Sequence, residues 1–324
     1  MQKFRHLFLL VAPCLLTVLS GCGQQKLISR QGFYFDTYII ASIPASQQAE
    51  EILKEAFSLC QQYESQLSRT VEDSEISRLN GANGQPITLS DSTAELLNLA
   101  LFYCEESGGL FDITIGAVSS LWDFRSGQGT VPEAQAISSA LERVDYRNLH
   151  LEGNTAWLEN GAQVDLGGIA KGYIADQIAA FLQKKGVESG VLNFGGNVVA
   201  IGAKPDQSPW RVGIQKPFGK AGQYVEMLDV TNRAVVTSGD YQRYFFQEGR
   251  CYHHLLNPAT GYPADSDLDS ATILCENSAE GDALSTICYL MGSQKAIEYL
   301  ESLEGVEGLL VKKDGSLVCT SGLE

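Results

Sequence analysis

The chain has 324 residues, 44% hydrophobic and 19% charged, enough for one sizeable core or two smaller ones. A formal net charge of −16 argues against nucleic acid and anionic lipid head groups as partners, because both would be repelled. Any polyanionic ligand must then be held by a metal, by backbone N–H groups or by a few placed cations.

At the N-terminus Lys3 and Arg5 precede an apolar run, Leu7 to Leu19, broken by Pro13 and Cys14. The run is too short for a stable membrane span and has the dimensions of a signal-peptide core. It ends in Leu19-Ser20-Gly21-Cys22, which resembles a bacterial lipobox; an ordinary signal peptide with a chance cysteine is the alternative. On the lipobox reading residues 1–21 are a lipoprotein signal peptide, Cys22 is lipidated and residues 22–32 are a short tether. Loss of residues 1–21 removes two positive charges and no acids, which takes −16 to −18. Six scattered cysteines follow Cys22 (Cys60, Cys104, Cys251, Cys275, Cys288, Cys319) with no CxxC pair, and buried free thiols fit them better than a disulfide framework.

Residues 33–324 contain no linker or fixed-period repeat and read as one composite domain. Ile52, Ala56, Leu59, Tyr63 and Leu67 recur at helical spacing. Leu96, Leu97, Ala100 and Tyr103 make a second helix after a Ser-Asp-Ser-Thr start rich in capping residues. A third opens at Pro132-Glu133, a fourth spans Ala175 to Leu182, and Ala283–Leu290 and Ala296–Leu303 form a late pair. Strand-like runs occur at Tyr38–Ile43, Val191–Phe194, Trp210–Ile214, Ala234–Val236, Ala271–Leu274 and Gly308–Val311, with Asp314-Gly315 as a hairpin turn after the last. Strands and helices do not strictly alternate, so the expected class is α+β, with mixed or antiparallel sheets and flanking helices.

Four stretches carry chemistry. "VDLGGIAKGYIAD" (164–176) reads as a strand-to-helix junction that matches neither common phosphate loop. Gly167-Gly168 lets a ligand approach the backbone before a helix starting near Ile169, Asp165 can accept a hydrogen bond, and Lys171 can pair with an anion. A packing turn with a surface lysine is the alternative. "GDALST" (281–286) puts Asp282, Ser285 and Thr286 on one helical face, an oxygen set that suits Mg²⁺; an N-cap with hydroxyls bonding back to carbonyls is the alternative that the local pattern alone favours. "HHLLNPATGYP" (253–263) places His253 and His254 at a strand end, where a histidine can serve as general base or be structural. "GGLFDITIG" (108–116) offers Phe111 and Asp112 as the border of a flat heteroaromatic ligand, or as core and turn residues.

These stretches, in one order with "FDTYI" (35–39), "SRTVEDSEISRLN" (68–80), "LNFGGN" (192–197) and "AVVTSGDYQRYF" (234–245), resemble the ApbE family, the FAD:protein FMN transferases. The resemblance implies a flavin-transferase fold and a lipoprotein anchored on the extracytoplasmic face of a bacterial cell membrane. It implies Mg²⁺-dependent cleavage of FAD, with FMN passed to a threonine or serine hydroxyl of an acceptor flavoprotein and AMP released. The acceptors would be subunits of membrane redox complexes. Carried onto this chain, Asp282, Thr286 and Ser285 are Mg²⁺ ligands with a carbonyl from Gly168 or its neighbour. Leu110, Phe111, Asp112, Asp165, Lys171 and Leu256 contact FAD, and His254 deprotonates the acceptor hydroxyl. Phe35-Asp36-Thr37 stands where the family commonly reads Met-Gly-Thr, so Phe35 replaces a methionine contact to the flavin. Thr70 stands where that flavin wall often carries an aromatic residue. Two other readings stay open: an FAD pyrophosphatase using the same site, and a non-enzymatic flavin-binding lipoprotein.

Overall fold

The computed structural model describes residues 26–126 and 128–323, so the signal-peptide and Cys22 expectations lie outside the described residues. In chain order, a hairpin of β1 (Leu27–Tyr34) and β2 (Thr37–Pro44) leads into helix α1 (Ala49–Leu67). Next come α2 (Glu75–Gly81), β3 (Ile87–Thr88), α3 (Asp91–Glu106), α4 (Gly116–Ser119), α5 (Ala134–Leu141), β4 (Leu149–Glu152) and β5 (Thr155–Leu158). Helix α6 (Ala170–Lys184) precedes β6 (Gly190–Phe194), β7 (Asn197–Ile201), the hairpin of β8 (Trp210–Gln215) and β9 (Tyr224–Val230), and β10 (Ala234–Gly239). The chain closes with β11 (Tyr244–Gln247), β12 (Arg250–His253), β13 (Leu268–Cys275), α7 (Ser278–Met291), α8 (Ser293–Leu300), β14 (Glu307–Lys312) and β15 (Leu317–Cys319).

Eight strands form the main sheet in the order β1-β2-β6-β7-β10-β13-β14-β15, every neighbouring pair antiparallel. With helices packed on the sheet, the class is α+β as expected. Strand β13 sits near the middle, and its Ala271–Cys275 run is buried on both faces. On β10 the alternation sorts the two cores: Ala234 and Val236 face the large helix-covered core, while Val235 joins Trp210, Val212 and Ile214 of the β8–β9 hairpin on the other face. Helices α6 and α7 lie against each other and against the sheet, burying Ile174, Ile178, Leu182, Leu284 and Ile287. Cys60, Cys104, Cys275 and Cys288 are buried free thiols. Among the described residues no helix is long and apolar enough to cross a membrane.

Several boundaries differ from the sequence reading. Strand β1 begins at Leu27, inside the span read as a tether, because its eight residues pair along the whole of β2. Val164 and Asp165 belong to no regular strand; an isolated parallel bridge between Ile115 and Gln163 is all that forms there. Helix α7 starts at Ser278 rather than near Ala283, because its cap comes from another helix. Asn277 makes no side-chain cap bond, and Asp176 of α6 accepts the Ser278 and Ala279 N–H groups instead.

Candidate active site

Two tight hairpin turns meet at one end of the main sheet. Phe35 and Asp36 connect β1 to β2 with φ of 51° and 57°, and Gly195 and Gly196 connect β6 to β7 with φ of 64° and 107°. A Cβ on Gly195 would stand 2.2 Å from Thr37 Oγ1, so glycine is what lets the turns touch. Phe35 and Asp36 take the same left-handed conformation without that freedom, at about 1–3 kcal/mol each. The turn is held by the Phe35 N–H donating to Glu64 Oε1 at 2.7 Å, by an Arg125–Asp36 ion pair, and by Arg243 donating to the Asp36 carbonyl at 3.3 Å.

Beside these turns opens a cavity of about 1060 Å³, at the upper end of the roughly 300–1,000 Å³ typical of small-molecule sites. Phe35, Thr70, Leu110, Phe111, Asp112 and Leu256 line it, as do Asp165, Gly168, Lys171, His254, Asp282 and Thr286. Ser285 does not. It is fully buried, and its Oγ bonds to Ser238 Oγ at 2.8 Å and to the Asp282 carbonyl at 3.0 Å.

Asp282 is 2% exposed and lies inside α7 rather than capping it. Its Oδ2 accepts the Gly172 N–H at 3.0 Å, and Lys171 Nζ stands 3.0 Å and 3.2 Å from its two oxygens. The N-cap alternative therefore fails for the carboxylate. The back-bonding alternative holds for the hydroxyls, since Thr286 Oγ1, like Ser285 Oγ, donates to the Asp282 carbonyl, at 3.2 Å. Thr286 still faces the cavity, and a Cβ on Gly168 would stand 3.6 Å from its Oγ1. One carboxylate, one hydroxyl and nearby glycine carbonyls make an all-oxygen donor set. Among the described residues no group of three or more His, Cys, Asp or Glu could form a metal cage. The chemistry of the oxygen set suits a hard cation such as Mg²⁺ that completes its shell with substrate phosphates and water.

The two other acids singled out in the sequence, Asp112 and Asp165, are engaged by the protein. Asp112 receives Thr114 N–H and Oγ1 at 2.7 Å and 2.6 Å on one oxygen and the Tyr146 N–H at 2.9 Å on the other. Burial raises its pKa against those bonds. Asp165 pairs with Arg69 at 3.0 Å and accepts Ser119 Oγ at 2.6 Å and the Gly167 N–H at 3.0 Å, which fixes the Gly167-Gly168 turn.

His254 follows β12, its backbone N–H donating to the Arg243 carbonyl at 3.1 Å, and its Nδ1 has no hydrogen-bond partner among the described residues. Burial, with the Arg243 cation, His253 and Lys171 nearby, pushes its pKa down to about 3, so the imidazole is neutral at pH 7. Its neighbour His253 is buried facing Tyr289 and Asp240 instead, with Nε2 3.4 Å from the Tyr289 hydroxyl.

Sequence reasoning missed three cavity-lining arginines, Arg69, Arg125 and Arg243. Arg69 and Arg125 are paired with acids, whereas among the described residues Arg243 forms no ion pair. Burial lowers its pKa. The available signal was its rarity as a cation in an acidic chain, inside a stretch already singled out for other residues. Trp122, also missed, is stacked on Phe124 at 5.3 Å and supplies an aromatic wall.

A family model described as the ApbE family matches residues 35–310. A Treponema pallidum protein named FAD:protein FMN transferase is 33% identical, the alignment covering 97% of this chain and 93% of that one. A Klebsiella pneumoniae protein of the same name is 32% identical over 84% and 85%. Among solved structures, the ApbE protein of Thermotoga maritima superposes with a TM-score of 0.84 at 29% identity, covering 92% of this chain and 98% of the other. The apo flavinyl transferase ApbE of Pseudomonas stutzeri gives 0.81 at 28%, covering 93% and 97%. With the cavity, its oxygen donors and its neutral histidine gathered by this fold, the chain belongs to the ApbE family.

Proposed function

We propose that this chain transfers FMN from FAD to a threonine or serine hydroxyl of an acceptor flavoprotein, with Mg²⁺, and releases AMP. One observation carries the reading: a single cavity is lined both by Asp282 and Thr286 and by the neutral His254. It is supported by family membership and by the printed names of the relatives.

The hydroxyl oxygen attacks the phosphorus of the FMN half, the bond to the bridging pyrophosphate oxygen breaks, and AMP leaves with that oxygen. Asp282, Thr286 and a carbonyl of the Gly167-Gly168 turn would hold Mg²⁺, which when bound neutralises charge on the pyrophosphate. Ser285 takes a supporting part, orienting Ser238 and the α7 backbone. Lys171 and Arg243 meet phosphate oxygens, and the Gly167-Gly168 turn lets the backbone approach them. Once the phosphates offset those two cations, His254 accepts the hydroxyl proton at a ring nitrogen. Asp112 and Asp165 act through the loops they hold, while Phe35, Thr70, Leu110, Phe111 and Leu256 border the flavin side.

The lipobox reading puts the enzyme on the extracytoplasmic face of the cell membrane, anchored through Cys22, near acceptor subunits of membrane redox complexes. A Cys22→Ala variant that stays in the membrane fraction would contradict that placement. The reaction is tested by mixing the chain with FAD, Mg²⁺ and a threonine-bearing acceptor domain and reading flavin fluorescence on the denatured acceptor. Free FMN without label would mark a pyrophosphatase, and intact FAD a binding protein.

A further inference from the structure

Helices α6 and α7 cross so closely that a Cβ on Gly172 would stand 2.2 Å from the Ser278 carbonyl oxygen. Around that crossing each helix start is faced by a carboxylate from the other helix. Asp176 of α6 accepts the Ser278 N–H on Oδ1 and the Ala279 N–H on Oδ2, both at 2.8 Å. One turn along α7 from Ser278, Asp282 reaches back to the Gly172 N–H at 3.0 Å and to Lys171. One turn along α6 from Gly172 stands Asp176, which closes the loop. Carboxylates at helix N-termini meet both free N–H groups and the positive dipole end.

We propose that Asp176 is a positioning residue: by gripping the first turn of α7 it sets the height of Asp282 over the start of α6, and so readies Asp282 for the metal. Asp176 does not line the cavity, so its effect on the chemistry runs through α7. The inference rests on the reading of Asp282 as a Mg²⁺ ligand. Sliding α7 along α6 breaks the bonds to Ser278, Ala279 and Gly172 together, so the pair of helices has one favoured register. Residues that orient a metal ligand typically change metal affinity about 10–100-fold when altered.

The test is calorimetric titration of Mg²⁺ into the full chain saturated with ADP, a pyrophosphate nucleotide with no flavin to transfer. Asp176→Asn should weaken Mg²⁺ binding about 10–100-fold and leave metal-free ADP binding unchanged. Leu182→Ala, on the same helix and fully buried, serves as the control for lost packing. It should lower the melting temperature and keep the wild-type Mg²⁺ constant. A wild-type constant in Asp176→Asn, or an equal loss in Leu182→Ala, would overturn the proposal. If Asp176→Asn does not fold, Asp176→Glu is read in the same way, with a smaller loss expected and no loss contradicting it. Wild type that binds no Mg²⁺ with ADP would instead sink the metal reading itself.

Discussion

Lys171 Nζ lies 3.0 Å from Asp282 Oδ1 although 111 residues separate them in the chain. The cation and the carboxylate that would serve one pyrophosphate thus start out neutralising each other at the α6–α7 crossing. Asp282→Ala should abolish the response of transfer rate to Mg²⁺ and remove most activity. A rate measured across a Mg²⁺ series that stays at wild-type level would remove Asp282 from the site.

His254 is neutral because desolvation and the nearby Arg243 and Lys171 cations disfavour its protonated form, so it already has the form that a general base needs. His254→Ala should bind FAD as wild type does in an equilibrium titration. Its transfer rate should fall about 10²–10⁴-fold, the usual contribution of a general base. A loss confined to FAD affinity would reassign His254 as a binding residue.

Asp240 makes stability depend on pH. Burial, with Asp269 close by, pushes its pKa from 3.8 up to about 7, and its Oδ1 has no hydrogen-bond partner among the described residues. A raised acid binds its proton more tightly in the folded state, so its contribution is full below 3.8 and is lost as pH rises through about 7. Asp240→Asn removes that loss. The variant should therefore be more stable than wild type at pH 8, by on the order of a few kcal/mol, and show little gain at pH 4. Equal gaps at both pH values would contradict the assignment.

Gly172→Ala tests the helix crossing. The added methyl collides with the Ser278 carbonyl, which is backbone and cannot swing aside. Overpacking of this kind costs about 1–3 kcal/mol, readable as a lower denaturant midpoint. Unchanged stability would mean that the helices are free to separate.

Much of this was legible in the sequence because the signals were local. The Ile52–Leu67 periodicity gave α1, and the alternation around Ala234–Val236 gave β10. The chemistry-bearing stretches were found, and of their named residues Ser285 and His253 stay out of the cavity. Which way a helical hydroxyl turns depends on its neighbour, here Ser238 on β10, and spacing along one helix carries no such information. Taken alone, Asp282 reads more readily as a cap than as a ligand for the same reason, since Gly172 and Lys171 arrive from another helix. The early start of α7 and the length of β1 were likewise decided by partners distant in sequence, Asp176 and β2. Arg243 escaped notice because its meaning is its lack of an ion pair among the described residues, which only packing reveals.

The central claim is group transfer to a protein hydroxyl. It is tested most directly by one assay that counts both products, AMP released and FMN bound covalently to a threonine-bearing acceptor, with a Thr→Val acceptor alongside. The account predicts one AMP for each FMN attached, with the phosphoester mapped to that threonine and no label on the valine acceptor. AMP released in step with free FMN, at the same rate with either acceptor, would contradict it.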